Sequence, residues 1–331
     1  MDYREALLNL NEVDLKYIYE QLLHESAADL HSIEMIESIR HKVLTKEYLE
    51  RTLQVMPSDE YDLFMQAVQA GHEFIPVPES RVFFSLQSLL MFETKQGMII
   101  PFDLADEIKT LNKNNIEAER QQLEQDLLFM TGALFLYGYV HRQHLDKMYR
   151  HYFNEALSEK RLVHIITLLG IEPLEDLIVL PVIHEGFTGQ TLPDYDVSHY
   201  YMPESFEELK QYAGADHHCN EEALNALLDF VGEHSEDNTD ELLDTVRFLV
   251  IASNDANLTM EEMIKLFAKN LSTPEFEMFE RLFIKALEET RLWIYGGKKL
   301  GEMKEEIQHQ EQIEENEKEK KVINLEVFRK G

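Results

Sequence analysis

Helix-start residues followed by apolar side chains at three- and four-residue spacing recur along almost the whole chain, and nothing else in it constrains the fold as much. Asn11 precedes Val13, Leu15, Ile18, Tyr19, Leu22 and Leu23, and a capping oxygen ahead of a 3.6-residue apolar period marks an amphipathic helix. The pattern returns with Ser32 before Ile33, Ile36, Ile39 and Val43, and again from Thr45 to Val55. Pro57-Ser58-Asp59-Glu60 then leads Tyr61, Phe64, Met65 and Val68 to a stop at Gly71, with acidic residues in the first turn where the helix dipole favours them. Further helices are predicted over Glu117–Tyr137, His141–Phe153, Ser158–Leu169, Glu204–Tyr212, Asn220–Gly232, Thr239–Ala252, Thr259–Asn270 and Thr273–Tyr295. Thr259 with Glu262 makes a capping box, and Pro274 follows the Thr273 cap at the first helical position. Only 13 Gly and 9 Pro occur in 331 residues, so few points can interrupt these helices and the chain is predicted to be mainly α.

The period changes in two places. Arg81–Glu93 and Met98–Pro101 flank Thr94-Lys95-Gln96-Gly97, which reads as a β-hairpin with Gly97 at the turn position that demands positive φ. The run Leu177–Ile183, with Gly186 and Gly189 behind it, predicts a second hairpin. Helices followed by a hairpin outline a winged-helix-like unit. The expected organisation is therefore a helical unit with a hairpin over 1–112, a second winged-helix-like unit over 113–203, a C-terminal helical bundle over 204–300, and a charged linker or helix with an apolar tail over 301–331. No fixed-period repeat supports a solenoid.

Charge narrows the function. Between Leu162 and Val246 stand nineteen Asp and Glu and one basic residue, Lys210, a net charge of −18 in 85 residues against −32 for the chain. Such a surface repels nucleic acid phosphates and anionic membranes and attracts basic partners or cations. Residues 1–60 carry a net −7, and a recognition helix at Ser158–Leu169 offers only Lys160 and Arg161, too few for the phosphate contacts on which duplex binding rests. Direct nucleic acid binding is disfavoured on this ground. The contact residues expected from the acidic block are Glu204, Glu207, Glu208, Asp216, Glu221, Glu222, Glu233, Glu236, Asp237, Asp240 and Glu241. Ile323, Leu325, Val327 and Phe328, in the apolar tail after a charged segment, are a second expected contact.

Motifs that carry chemistry are few. Asp216-His217-His218-Cys219 clusters metal-ligand residue types, but zinc takes about four ligands as separated pairs and no second cysteine exists. No metal or cofactor is predicted; were a metal bound, His217, His218 and Cys219 would be its ligands. His141 and His144 share a helical face without a carboxylate at the next turn and read as surface histidines. Asp255-Ala-Asn257-Leu-Thr259 opens like a calcium loop, yet Met260 and Leu266 stand where glycine and the bidentate glutamate belong, so it reads as a capped turn. No phosphate-binding or nucleophile motif occurs. Trp293, near a helix end with Gly296-Gly297 behind it, reads as a core plug. A lone cysteine, no signal-like start and no apolar stretch long enough to span a bilayer predict a cytoplasmic protein without a membrane.

Leu10-Asn11-Glu12-Val13-Asp14-Leu15, with Ile18 to Leu23 and Leu30 to Ile39, resembles the small helical domain at the start of Rho-type termination factors. That resemblance implies RNA contact, against which the −7 of residues 1–60 argues. Thr290–Gly297 with Leu300-Gly301-Glu302, and Tyr137-Gly138 with Leu145 and Tyr149, is similar to stretches of poorly characterised bacterial proteins that carry a C-terminal SEC-C zinc motif. This chain has no cysteine-rich C-terminus, so the zinc motif is not carried over. The resemblance implies a Gram-positive bacterial or phage origin and a non-catalytic role. The expected function is a regulatory or adaptor protein acting through protein contacts, on a partner with a basic surface. The alternatives are an inhibitor that mimics DNA charge to block a nucleic-acid-binding protein, and a metal-dependent enzyme.

Overall fold

The computed structural model describes residues 1–71, 81–186, 200–214, 221–235, 240–267, 271–306 and 308. It is mainly helical, with two small antiparallel sheets. The chain divides into two compact units, Met1–Gln125 and Asp126–Gly331.

The first unit contains α1 (Tyr3–Leu8), α2 (Glu12–Leu23), α3 (Ser32–Val43), α4 (Lys46–Val55), α5 (Ser58–Ala70), α6 (Phe83–Gln87), β1 (Phe92–Thr94), β2 (Gly97–Ile99), α7 (Phe102–Thr110) and the start of α8 (Lys113–Tyr137). Asp2 and Glu5 close a capping box on α1, at 2.7 and 2.9 Å. Asn11 caps α2 and Thr45 caps α4 through their side chains. Two expected caps are displaced: Ser32 and Ser58 are the first helical residues, and His31 and Pro57 hold the cap positions. The side chain of Glu34 takes the His31 N–H at 3.0 Å, which places the α3 boundary one residue earlier.

The first hairpin forms at Thr94–Gly97, with Phe92 opposite Ile99 and φ of +128° at Gly97. Its first strand is much shorter than Arg81–Glu93, because residues 83–87 are helical. Buried Glu60, on α5, accepts the backbone N–H groups of Phe84 and Ser85. That carboxylate satisfies donors at the start of α6 from a distant point in sequence, so no local residue announces the helix. Arg120 does the converse at the end of α4. Its buried guanidinium donates to the Leu53 carbonyl at 2.9 Å and to that of Met56, and lies 3.9 Å over the Tyr61 ring.

The second unit holds the rest of α8, β3 (Tyr139–His141), α9 (Arg142–Phe153), α10 (Glu159–Leu168), β4 (Leu177–Val179), α11 (Pro181–Gly186), α12 (Phe206–Lys210), α13 (Glu222–His234), α14 (Asp240–Ile251), α15 (Ala256–Leu266), α16 (Thr273–Glu289), a 3-10 turn at Trp293–Tyr295 and a helix over 300–306. The second antiparallel sheet is present, but its partner strand is upstream. Tyr139 faces Val179 and His141 faces Leu177, while Pro181–Gly186, expected to lead into a return strand, is helical. Gly138 makes this pairing possible. It ends α8 at φ +71°, and a Cβ there would sit 2.5 Å from the Trp293 ring and 2.7 Å from Ile183.

Leu224, Leu227, Val231, Val246, Val250, Phe279 and Phe283 form one apolar core with Tyr139, Val179, Ile183 and Trp293. Side chains on both sides of the expected 203/204 boundary therefore share it. Several helix ends differ from expectation. Asp255, not Thr259, caps α15, accepting from Asn257 and Leu258; the Thr259 hydroxyl is spent inside the helix on the Asp255 carbonyl at 2.9 Å. Ser272 rather than Thr273 caps α16, its backbone N–H bound by Glu275 at 2.7 Å. α16 ends at Glu289 and not at Tyr295, because Thr290 turns extended and Leu292 pairs with Lys298.

Candidate interaction surface

α10 is built on a local capping signal and a buried apolar stripe. Ser158 accepts the Arg161 N–H at 3.3 Å, and Leu162, Ile165 and Ile166 turn into a core with Phe129, Leu145 and Tyr149. The opposite face exposes Glu159, Lys160, Val163, His164, Thr167 and Leu168. Val163 and Leu168 are 47% and 42% exposed, comparable to Leu258 and Leu266 on α15. The Thr167 hydroxyl donates to the Val163 carbonyl at 2.7 Å, so what this residue presents outward is largely its methyl group.

The cation that would make this helix attractive to phosphate is turned inward. The Arg161 Nε lies 3.2 Å from the buried Asp126 carboxylate, and its Nη1 donates to Glu155 at 2.9 Å and to the Tyr149 hydroxyl at 2.8 Å. Tyr149 in turn donates to Asp126 at 2.6 Å. Burial, then the Asp126 hydrogen bond, push the Tyr149 phenol well above its ordinary range. Burial works against the Arg161 charge, but Glu155 and Asp126 outweigh it and hold its pKa up. This network rigidifies α9 and α10 against α8, and it leaves Lys160 as the one exposed cation of α10. Sequence reasoning missed it, although one signal existed: Asp126 is the last acid of α8, directly ahead of its apolar half.

The expected acidic contacts fall into two groups. Glu204, Glu207, Glu222, Glu233, Asp240 and Glu241 are exposed, with Glu207 paired to Lys210 at 2.9 Å. Glu222, Asp229 and Glu233 recur at helical spacing on the exposed stripe of α13. Glu208 and Glu221 are engaged inside the unit. Glu208 accepts the Tyr201 hydroxyl at 2.5 Å and the Glu204 N–H at 2.8 Å; Glu221 is buried and pairs with Lys299 at 3.0 Å. Asp216, Glu236, Asp237, Ile323, Leu325, Val327 and Phe328 lie outside the described residues, as do His217, His218 and Cys219.

His144 is not a surface histidine. It is buried, its Nε2 3.2 Å from the Tyr137 hydroxyl and its ring stacked at 4.4 Å on Tyr200, while His141 holds the α9 cap position. The His141 ring also meets Tyr200, edge-on at 6.3 Å, so both histidines adjoin the same tyrosine. Among the described residues no group of three or more His, Cys, Asp or Glu side chains is placed to hold a metal, and no described helix is long and apolar enough to cross a membrane. Trp293 is buried, its indole N–H donating to the Phe135 carbonyl at 2.9 Å.

The chain matches no protein family, no curated protein and no solved structure.

Proposed function

We propose that this is a non-enzymatic regulatory or adaptor protein, and that the outer face of α10 is a contact surface for a protein partner. The observation that carries the reading is the inward turn of Arg161 beside the outward Val163 and Leu168. A helix that recruits phosphate spends its arginines on the outside; this one spends its arginine on Asp126 and Glu155 and offers aliphatic area instead. Exposed aliphatic side chains with a polar rim are what protein contacts use. The order helix, strand, helix, helix, strand from α8 to β4 supports treating this part as a winged-helix-like module turned to protein contact, with α13 to α16 as the proposed C-terminal bundle. The similarities to Rho-type and SEC-C-bearing proteins, and a cytoplasmic bacterial or phage setting, belong to the same proposal.

The second reading is a mimic of DNA charge, favoured by the carboxylate stripe Glu222, Asp229 and Glu233 on α13. The withdrawal of Glu208 and Glu221 into internal contacts weighs against one continuous acidic face. Capture from bacterial lysate separates the two. Under the first reading a partner survives high salt and is lost with Val163→Asp/Leu168→Asp. If the partner is retained by that variant, lost steeply with salt and displaced by duplex DNA, charge mimicry replaces the α10 reading.

A further inference from the structure

The residues around Trp293 include buried cations, in a chain whose net charge is −32. The Arg291 and Lys298 side chains are only 11% and 7% exposed. The Arg291 guanidinium lies 3.3 Å from the centre of the Tyr201 ring and donates to the Gly297 carbonyl at 3.2 Å. Both counter-charges come from one helical stretch, residues 300–306, at positions four apart. Glu302 accepts from Arg291 at 3.0 and 3.3 Å, and Glu306 accepts from Lys298 at 2.5 Å. Glu302 also takes the Lys299 backbone N–H at 3.0 Å, closing the helix start.

Residues 300–306 are anchored differently from the helices α12 to α16. No side chain in 300–306 is buried; Leu300 and Met303 are half-buried and the rest are charged or small. Their attachment is therefore largely electrostatic, between buried cations and half-exposed carboxylates. Core helices such as α13 and α16 are held by apolar area, which salt does not screen.

We propose that residues 300–306 are a charge-held cover over the Arg291–Lys298 site, lifting off as a local unit while the core beneath stays folded. Lifting the cover uncovers two cations on an otherwise acidic unit. The segment around Tyr201 stays held beneath the cover, its N–H donating to the Gly296 carbonyl and its carbonyl accepting from Tyr137 at 2.7 Å.

Hydrogen exchange on the full-length chain tests this directly. Raising NaCl from about 0.1 M to about 1 M shortens the Debye length from about 10 Å to about 3 Å. Exchange over 300–306 should then quicken by about tenfold, the loss of roughly 1.4 kcal/mol summed over the ion pairs. Amides of α13 and α16 should keep their protection. Glu302→Gln/Glu306→Gln should show the same local opening at low salt. Two results overturn the proposal: exchange over 300–306 that ignores both salt and the double substitution, or a rise in α13 and α16 that accompanies it and makes the helix a staple of the core.

Discussion

Two arginines of the second unit are neutralised in mirror-image ways. At α10 the acid is buried and the cation half-exposed: the Asp126 side chain is 3% exposed and that of Arg161 29%. At the C-terminal cover the cation is buried and the acid half-exposed, 11% for Arg291 against 41% for Glu302. A buried charge that loses its partner must bear its desolvation alone, whereas an exposed one turns to water. The two sites therefore differ in which partner can be removed cheaply, and in which element each pairing fastens. The Asp126 network ties helices that also share an apolar core. The Arg291 network ties a helical stretch, residues 300–306, in which no side chain is buried.

The largest effect is expected where the buried acid is orphaned. Arg161→Met should cost about 3 kcal/mol, the low end for breaking a buried pair. Asp126→Asn should cost less than half of that, because asparagine keeps a hydrogen bond to Tyr149 and Arg161 keeps Glu155. Urea unfolding of both variants measures the difference, and equal costs would show that burial of the acid does not set the energetics of this site.

How much of this was legible beforehand follows from how local each cause is. Asn11, Thr45 and Ser158 cap helices from their own flanks, so the helices they start could be read directly. Gly138 and Gly97 announced backbone breaks for the same reason. α6 could not be read, since its N-terminal donors are met by Glu60 from another helix. The partner of β4 was misplaced because a run of apolar residues does not say which strand it will meet, and Tyr139–His141 is separated from it by two helices. At the candidate surface, Lys160 and Arg161 look alike in sequence. Only the arrival of Asp126 from α8 separates an outward cation from an inward one.

A second test uses the phenols beside the arginines. Tyr212, next to Arg291, is pushed up to about 12 from 10.0, chiefly by burial and then by Glu221. A phenol that ionises later in the folded chain than in the unfolded one stabilises the fold fully below pH 10, and that stability is lost as pH climbs toward 12. The two-unit difference corresponds to about 2–3 kcal/mol. Tyr212→Phe should flatten the fall in stability between pH 10 and 12; an unchanged slope would assign the alkaline loss to the other buried tyrosines, Tyr137 among them.

Smaller again is the effect at the cover. Glu302→Gln should cost about 1 kcal/mol, since glutamine still accepts a hydrogen bond and Arg291 retains Gly297 and the Tyr201 ring. The sharper readout is the ratio to Arg291→Met, which removes the buried charge altogether. If the mirror-image comparison holds, Arg291→Met is offset in part by the relief of desolvation, and its loss arises from packing on Tyr201 rather than from charge. Thermal unfolding in low and high salt separates the two: the Glu302→Gln deficit should shrink at high salt and the Arg291→Met deficit should persist.

The smallest change bears most on function. Glu233 sits in the last turn of α13, where a negative charge opposes the helix dipole, and four residues after Asp229, where it meets a like charge. Both arrangements are mildly unfavourable, by a few tenths of a kcal/mol each. Glu233→Lys should therefore raise the melting temperature slightly while leaving the core untouched. If capture of a partner from lysate falls while thermal stability rises, the α13 stripe takes part in binding and the α10 face is only half of the surface. If stability rises and capture is unchanged, Glu222, Asp229 and Glu233 serve solubility alone and binding rests on Val163 and Leu168.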